Sequence, residues 1–163
     1  MSYAEILVWG VLLAIGVSDA QRHRIPNKYV LVLFLVVVAS LISTPSTDWF
    51  DHVKGGVVTF FICFGLFMVR VMAGGDVKLL AVIGVWLGLS RIGDAMTWVI
   101  LAGGIVGLFY AALNVASNDK PLSHQVRGYC LRKVTPGFRH ESHLVIPFAP
   151  VIVIGLAYYS YIY

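Results

Sequence analysis

Residues 72–88 read MAGGDVKLLAVIGVWLG and set one aspartate, Asp76, directly after a glycine pair and directly before an apolar run. A carboxylate at the edge of hydrocarbon is costly, roughly 2.5–3.5 kcal/mol at the centre of a spanning helix and less near the interface. The remainder of the chain shows that hydrocarbon is the setting. Hydrophobic residues make up 59% of the 163 positions and charged residues only 12%, against about 25% charged in soluble proteins; mean hydropathy is +0.85. The sequence therefore predicts an all-α, polytopic membrane bundle in which residues 77–90 form one short span and Asp76 marks its entrance.

Working outward from that stretch, five further apolar segments separate polar connectors. Residues 53–72 precede it, with Lys54 and Arg70 placed to snorkel to opposite interfaces. Residues 29–43 are rich in Val and Leu, but their unbroken length among spans favours a helix over a buried strand. Residues 2–18 form the first segment; Glu5 and the lack of a basic start make it a poor signal peptide. On the other side lie residues 95–117 and 143–163, separated by a polar loop over 118–142. The expected organisation is a single membrane-embedded domain, 1–163, of about six spans. Segment four, with about 14 residues, is short for a crossing and requires local thinning of the bilayer or shielding by its neighbours.

Alternating six-span loops sort the basic residues. Arg22, Arg24, Lys28, Arg70, Lys78, Lys120, Arg127, Arg132, Lys133 and Arg139 fall on one side, Lys54 and Arg91 on the other. Ten against two predicts a multi-pass protein with both termini outside and with Asp19, Asp76 and loop 118–142 facing the cytoplasm. The net charge of +4 is thus a topology signal, and nucleic acid is not an expected partner. Cys63 and Cys130 form no CxxC pair, which argues against a disulfide framework or zinc site. The chain shows no internal repeat of the transporter kind. The spacings Gly84/Gly88 and Gly103/Gly107 read as close helix packing.

Topology also sorts the eight acidic residues. Glu5, Asp48, Asp51 and Asp94 fall outside, and Asp119 and Glu141 lie in a polar loop where solvation explains them. Asp19 and Asp76 each sit where a span meets a cytoplasmic connector, so folding could bring them to one depth. Two carboxyls at one site share a proton; the ionised one can take a proton from water while the other polarises a peptide carbonyl. That is aspartic peptidase chemistry. The plainer reading is that Asp76 caps segment four and Asp19 ends segment one, and spacing alone leaves the two balanced. Gly74 and Gly75 permit positive φ and close backbone approach, for a substrate strand or for a tight turn. Lys78 serves either as a positive-inside anchor or to hold the site electropositive.

Three motifs carry a family resemblance. GGDVKLLAVIGVWLG resembles the GxGD signature of the prepilin peptidases; DAQRHRIPN, residues 19–27, resembles their first aspartate motif with its Ile-Pro-Asn; and IPFAP, residues 146–150, opens the last span. Ala73 stands where the family pattern has its first glycine, Gly74 at its variable position and Gly75 at its second glycine. The resemblance implies a membrane aspartic peptidase that removes the leader of type IV prepilins or pseudopilins at the cytoplasmic face, without a cofactor or metal. It makes Asp19 and Asp76 the catalytic pair, with Pro26, Asn27, Gly74, Gly75 and Lys78 in support. Larger members carry paired CxxC motifs in a cytoplasmic insertion and also N-methylate the new N-terminus. Here the first aspartate follows the first span directly, so the chain resembles the short form serving tight-adherence (Flp-type) pili, and peptidase activity without methyl transfer is expected.

Other classes fit less well. A metalloprotease needs HExxH, and the nearest match is HESH at residues 140–143. A serine peptidase needs a His beside Ser18 or Ser40 within the spans. A non-enzymatic scaffold or small transporter remains the competitor from another class, although a transporter more often holds charge near the bilayer midplane. An archaeal-type preflagellin peptidase is the related alternative, disfavoured by the Ile-Pro-Asn after Asp19. The basic loop 118–142 reads mainly as a topology determinant, with attraction to anionic head groups as a second role. Oligomeric state is not legible.

Overall fold

A computed structural model describes residues 3–22, 24–44, 47–117 and 148–163. These residues form six α-helices and no strand: α1 Tyr3–Arg22, α2 Asn27–Ile42, α3 Trp49–Met68, α4 Gly74–Leu87, α5 Leu89–Ser117 and α6 Phe148–Ile162. Residue contacts divide the chain into two compact units, residues 1–103 with 147–163, and residues 104–146. The bundle belongs to the first. In the second, the described residues are the last part of α5, where Phe109 and Tyr110 make an edge-on ring contact.

Each helix buries the face that its sequence spacing selects. In α1 the buried residues are Val8, Leu12, Ile15, Gly16 and Asp19, a single stripe at steps of three and four. In α2 they are Val30, Leu33, Val37 and Leu41. The shortest helix, α4, differs: Asp76, Val77, Leu79, Leu80, Val82, Ile83 and Gly84 are all buried, which is half of its 14 residues. A helix apolar on nearly every side belongs inside a bundle. This resolves its shortness, because α4 is shielded by its neighbours rather than required to meet lipid along its length.

Glycine brings α3 and α4 into backbone contact. A Cβ on Gly55 would lie 2.5 Å from the Gly84 carbonyl oxygen, and one on Gly84 would lie 2.7 Å from that of Gly55. Phe67 packs on Gly74 at the other end of the pair, so the helices run antiparallel. Of the GxxxG glycines, then, Gly84 serves packing. Gly88 instead ends α4 at φ 79°, where a Cβ would also run into the Asp51 carboxylate. Gly155 brings α6 onto α5, its missing Cβ lying 2.6 Å from the Cα of Val99. Gly103 makes ordinary contact with Val151, and Gly107 meets nothing among the described residues.

Helix ends depart from the sequence expectation by up to six residues, the largest at α5, which begins at Leu89 rather than at 95. The α1 helix continues through Asp19 to Arg22. The α3 helix begins at Trp49 because Asp48 accepts a hydrogen bond from the Phe50 N–H, at 3.1 Å. It ends at Met68, four residues early. There Val71 N–H bonds to Leu66 O and Arg70 N–H to Phe67 O, a Schellman closure with Arg70 in the left-handed region at φ 59°. Arg70 thus follows the helix rather than riding on its last turn. The α4 helix begins at Gly74, so the glycine pair is its first turn and not a loop, and neither Gly74 nor Gly75 has positive φ.

Among the described residues, three helices are long and apolar enough to cross a membrane: Tyr3–Arg22, Trp49–Met68 and Leu89–Tyr110; Asn27–Ile42 and Phe148–Ile162 are shorter apolar helices. Leu13, Val17, Leu31, Leu35, Phe61 and Ile62 stand exposed on the outer faces, as expected of a membrane protein whose surface meets acyl chains. Residues 143–147 of the expected last segment and the polar loop 118–142 lie outside the described residues.

Candidate active site

Only three polar or charged residues are buried among those described: Asp19, Asp76 and Thr59, with the two aspartates 6% and 7% exposed. Ionisable groups are almost never buried without a partner or a function. Asp19 occupies the last turn of α1, one turn beyond Gly16 on the buried stripe. Asp76 is the third residue of α4, its N–H bonded to Ala73 O at 3.1 Å. The fold brings them together from residues 57 positions apart in sequence: the carboxyls lie within electrostatic reach of each other. The Asp76 carboxyl also engages the backbone of Ala73, and the thiol of buried Cys63 on α3 lies near enough to feel its charge.

The predicted supporting residues gather around the start of α4. Ile25 packs on Gly75, where a Cβ would stand 3.2 Å from that of Ile25. This close approach, rather than positive φ, is the use made of Gly75. Gly74 lies in ordinary contact with the Phe67 ring, where a Cβ would stand 3.5 Å away, so its glycine is less strictly required. Pro26 is the residue before α2, with ψ 128°, and directs the chain from Ile25 into that helix. Asn27 Oδ1 accepts a hydrogen bond from Lys78 Nζ at 3.1 Å on the exposed side of the junction. Lys78 is therefore turned toward Asn27, and residues 25–27 lie across the first turn of α4.

One contributor was not predicted in any role. The N–H of Ala149, in the first turn of α6, donates to Asp19 Oδ2 at 3.0 Å in a buried setting. IPFAP was legible as a motif, but nothing local ties it to an aspartate 130 residues earlier; Gly16 three residues before Asp19 was the available signal, since it marks a face of α1 open to close approach. A Cβ on Gly16 would stand 3.5 Å from Val153 Cγ2 and 3.7 Å from Pro150 Cα.

An apolar cavity of about 420 Å³ is lined by Phe34, Trp49, Phe60, Ala81, Val82 and Val85 among others. Its α4 residues lie about 140–240° around that helix from Asp76 at 3.6 residues per turn, so it opens on the opposite side from the carboxyl pair. No group of three His, Cys, Asp or Glu side chains placed to hold a metal occurs among the described residues; residues 140–143 lie outside them.

A model of the type IV leader peptidase family matches residues 6–112, which hold both aspartates. The chain belongs to the type IV leader peptidase family. A prepilin leader peptidase/N-methyltransferase of Bacillus subtilis (strain 168) is 24% identical over 127 residues, covering 74% of this chain and 49% of that protein. The chain thus spans about half the length of the curated relative it matches. No solved structure gives a significant match.

Proposed function

We propose that this leader peptidase family member is an aspartic endopeptidase that removes the leader of type IV prepilins, of the Flp type, at the cytoplasmic face of the bacterial inner membrane. The observation that carries the reading is the meeting of two buried carboxyls, Asp19 and Asp76, at one end of an apolar bundle. Burial disfavours two charges side by side, so the pair holds one proton. The ionised carboxylate takes a proton from water as the water oxygen bonds to the scissile carbonyl carbon, while the protonated carboxyl gives its proton to the carbonyl oxygen. The resulting gem-diol collapses: the C–N bond breaks, the amine nitrogen leaves with a proton, and the dyad recovers its single proton. No cofactor enters, and methyl transfer is not part of the reading. The chain acts as one peptidase domain of about six crossings with both termini outside, which follows from the ten-to-two distribution of basic residues.

The test is co-expression with an Flp-type prepilin, with leader loss followed by gel shift and mass spectrometry. Wild type, Asp19→Asn, Asp76→Asn and Asp119→Asn are compared at matched membrane levels. Cleavage by wild type and Asp119→Asn alone is the expected result, with an unmethylated mature N-terminus. Cleavage by both dyad variants would reduce the aspartates to helix caps; no cleavage of any prepilin by wild type would favour a scaffold.

A further inference from the structure

Asp19 sits at the C-terminal end of α1, the end of a helix whose dipole opposes a negative charge. The opposing influence comes from α6. The first-turn N–H groups of a helix have no partner within it, and Pro150 contributes none. The Ala149 N–H is such a donor, and it bonds to Asp19 Oδ2 at 3.0 Å. Both partners are sequestered: Ala149 is fully buried and Asp19 6% exposed. The contact is also braced, because Gly16 admits Pro150 and Val153 against α1 one turn away. Other groups bearing on the carboxyl are Asp76 from α4 and, through Asp76, Cys63 from α3. The nearby cations are turned elsewhere: Arg22 and Arg24 are exposed, and Lys78 bonds to Asn27.

We propose that the N-terminal turn of α6 is a positioning element for the dyad, in which the Ala149 N–H fixes the orientation of the Asp19 carboxyl. This rests on the dyad reading above. It extends the site beyond the matched residues 6–112 and gives a role to the last helix. A backbone donor set in a buried helix turn holds the carboxyl in one geometry, which is what a reacting group needs.

The experiment replaces only the donor. Lactic acid incorporated at position 149 of the full chain, by cell-free synthesis into lipid nanodiscs, turns the Phe148–Ala149 amide into an ester and keeps the methyl group. Cleavage of a prepilin is then compared for the amide and the ester. Misplacing a reacting group by about 1 Å can cost on the order of 10²-fold in rate. In the ester kcat should fall by about that factor, with KM unchanged. Ala149→Gly, which keeps the N–H, should keep most of kcat. A rise in KM at unchanged kcat in the ester, or an equal loss of kcat in Ala149→Gly, would make the contact merely structural.

A second measurement needs no turnover. With Asp19 alone carrying a carbon-13 label at its carboxyl, the signal in nanodiscs should move and broaden in the ester, as the carboxyl loses its fixed donor, and should stay in place in Ala149→Gly. Identical spectra for amide and ester would overturn the proposal. Failure of the parent reading looks different: Asp19→Asn would still cleave, whatever the spectra show.

Discussion

The two ends of the bundle use the same pair of parts, an aspartate and a helix N-terminus, and differ in what surrounds them. At one end Asp48 caps its own helix through Phe50 N–H, and Asp51 reaches across to α5, accepting from Ser90 N–H at 3.2 Å and from Ser90 Oγ at 2.9 Å. His52 Nδ1 bonds to Val85 O at 2.8 Å beside them. Asp48 is exposed and Asp51 half-buried, so water shares the work of stabilising charge. At the other end Asp19 accepts from the first turn of α6, but it is buried and faces a second buried carboxyl. The first arrangement is complete as a cap. The second contains more than capping requires, because one aspartate would satisfy the helix end and the second adds only repulsion unless a shared proton removes it.

The comparison breaks most directly by removing one carboxyl from each end. Asp76→Asn should lower cleavage by about 10²–10⁴-fold, the usual contribution of a positioned acid or base. Its thermal midpoint in detergent should hold or rise, because a buried ionisable group has been replaced by a neutral amide of the same shape. Asp51→Asn should do the reverse, keeping cleavage while losing about 1 kcal/mol of stability with its cap. Asp51→Asn losing activity at unchanged stability would erase the distinction between the ends. The proposed one-proton dyad predicts wild-type activity that falls on both sides of an optimum, at apparent values belonging to the pair.

The capped end is also where helix backbones approach most closely, which sets the next largest effect. A Cβ at Gly55 would meet Gly84 O at 2.5 Å and both Gly88 C and Leu89 N at 2.6 Å, all of them backbone atoms that no rotamer change can move aside. Gly55→Ala should therefore cost about 1–3 kcal/mol, the range for overpacking a well-filled interior. Gly65→Ala on the same helix, where a Cβ meets nothing, is the control. Thermal unfolding in detergent reads both; equal midpoints would show that close backbone contact between α3 and α4 contributes nothing to stability.

What could be read from sequence follows the same division. Helix class, membrane setting and the pairing of Asp19 with Asp76 came from local composition and from motif order, because burial of charge is rare enough to stand out in an apolar chain. Helix ends came less well. The glycine pair at 74–75 looked like a loop, yet a first helical turn accepts glycine when a neighbouring side chain packs closely on it, as Ile25 does at Gly75. The α3 terminus was masked by Arg70, a residue with no local preference for the left-handed region it adopts. The Ala149 donor could not be read at all, since a backbone N–H has no sequence signature and its partner lies 130 residues away.

The smallest effect belongs to an exposed polar contact at the start of α4. Lys78 Nζ and Asn27 Oδ1 are 3.1 Å apart, and both side chains are exposed. Water competes for each group, so Asn27→Ala or Lys78→Met should change stability by no more than about 0.5 kcal/mol. Their consequences separate by what else each residue does. Asn27 begins α2 immediately after Pro26, and its loss removes only the acceptor. Lys78 counts among the ten basic residues assigned to the cytoplasmic side, and nine remain without it. Both variants should therefore keep membrane orientation, measured by cysteine accessibility from either side, and should cleave at close to the wild-type rate. A tenfold loss of cleavage in both, at unchanged stability, would move this pair from the rim into the working site and show that the dyad depends on how residues 25–27 are tied across the start of α4.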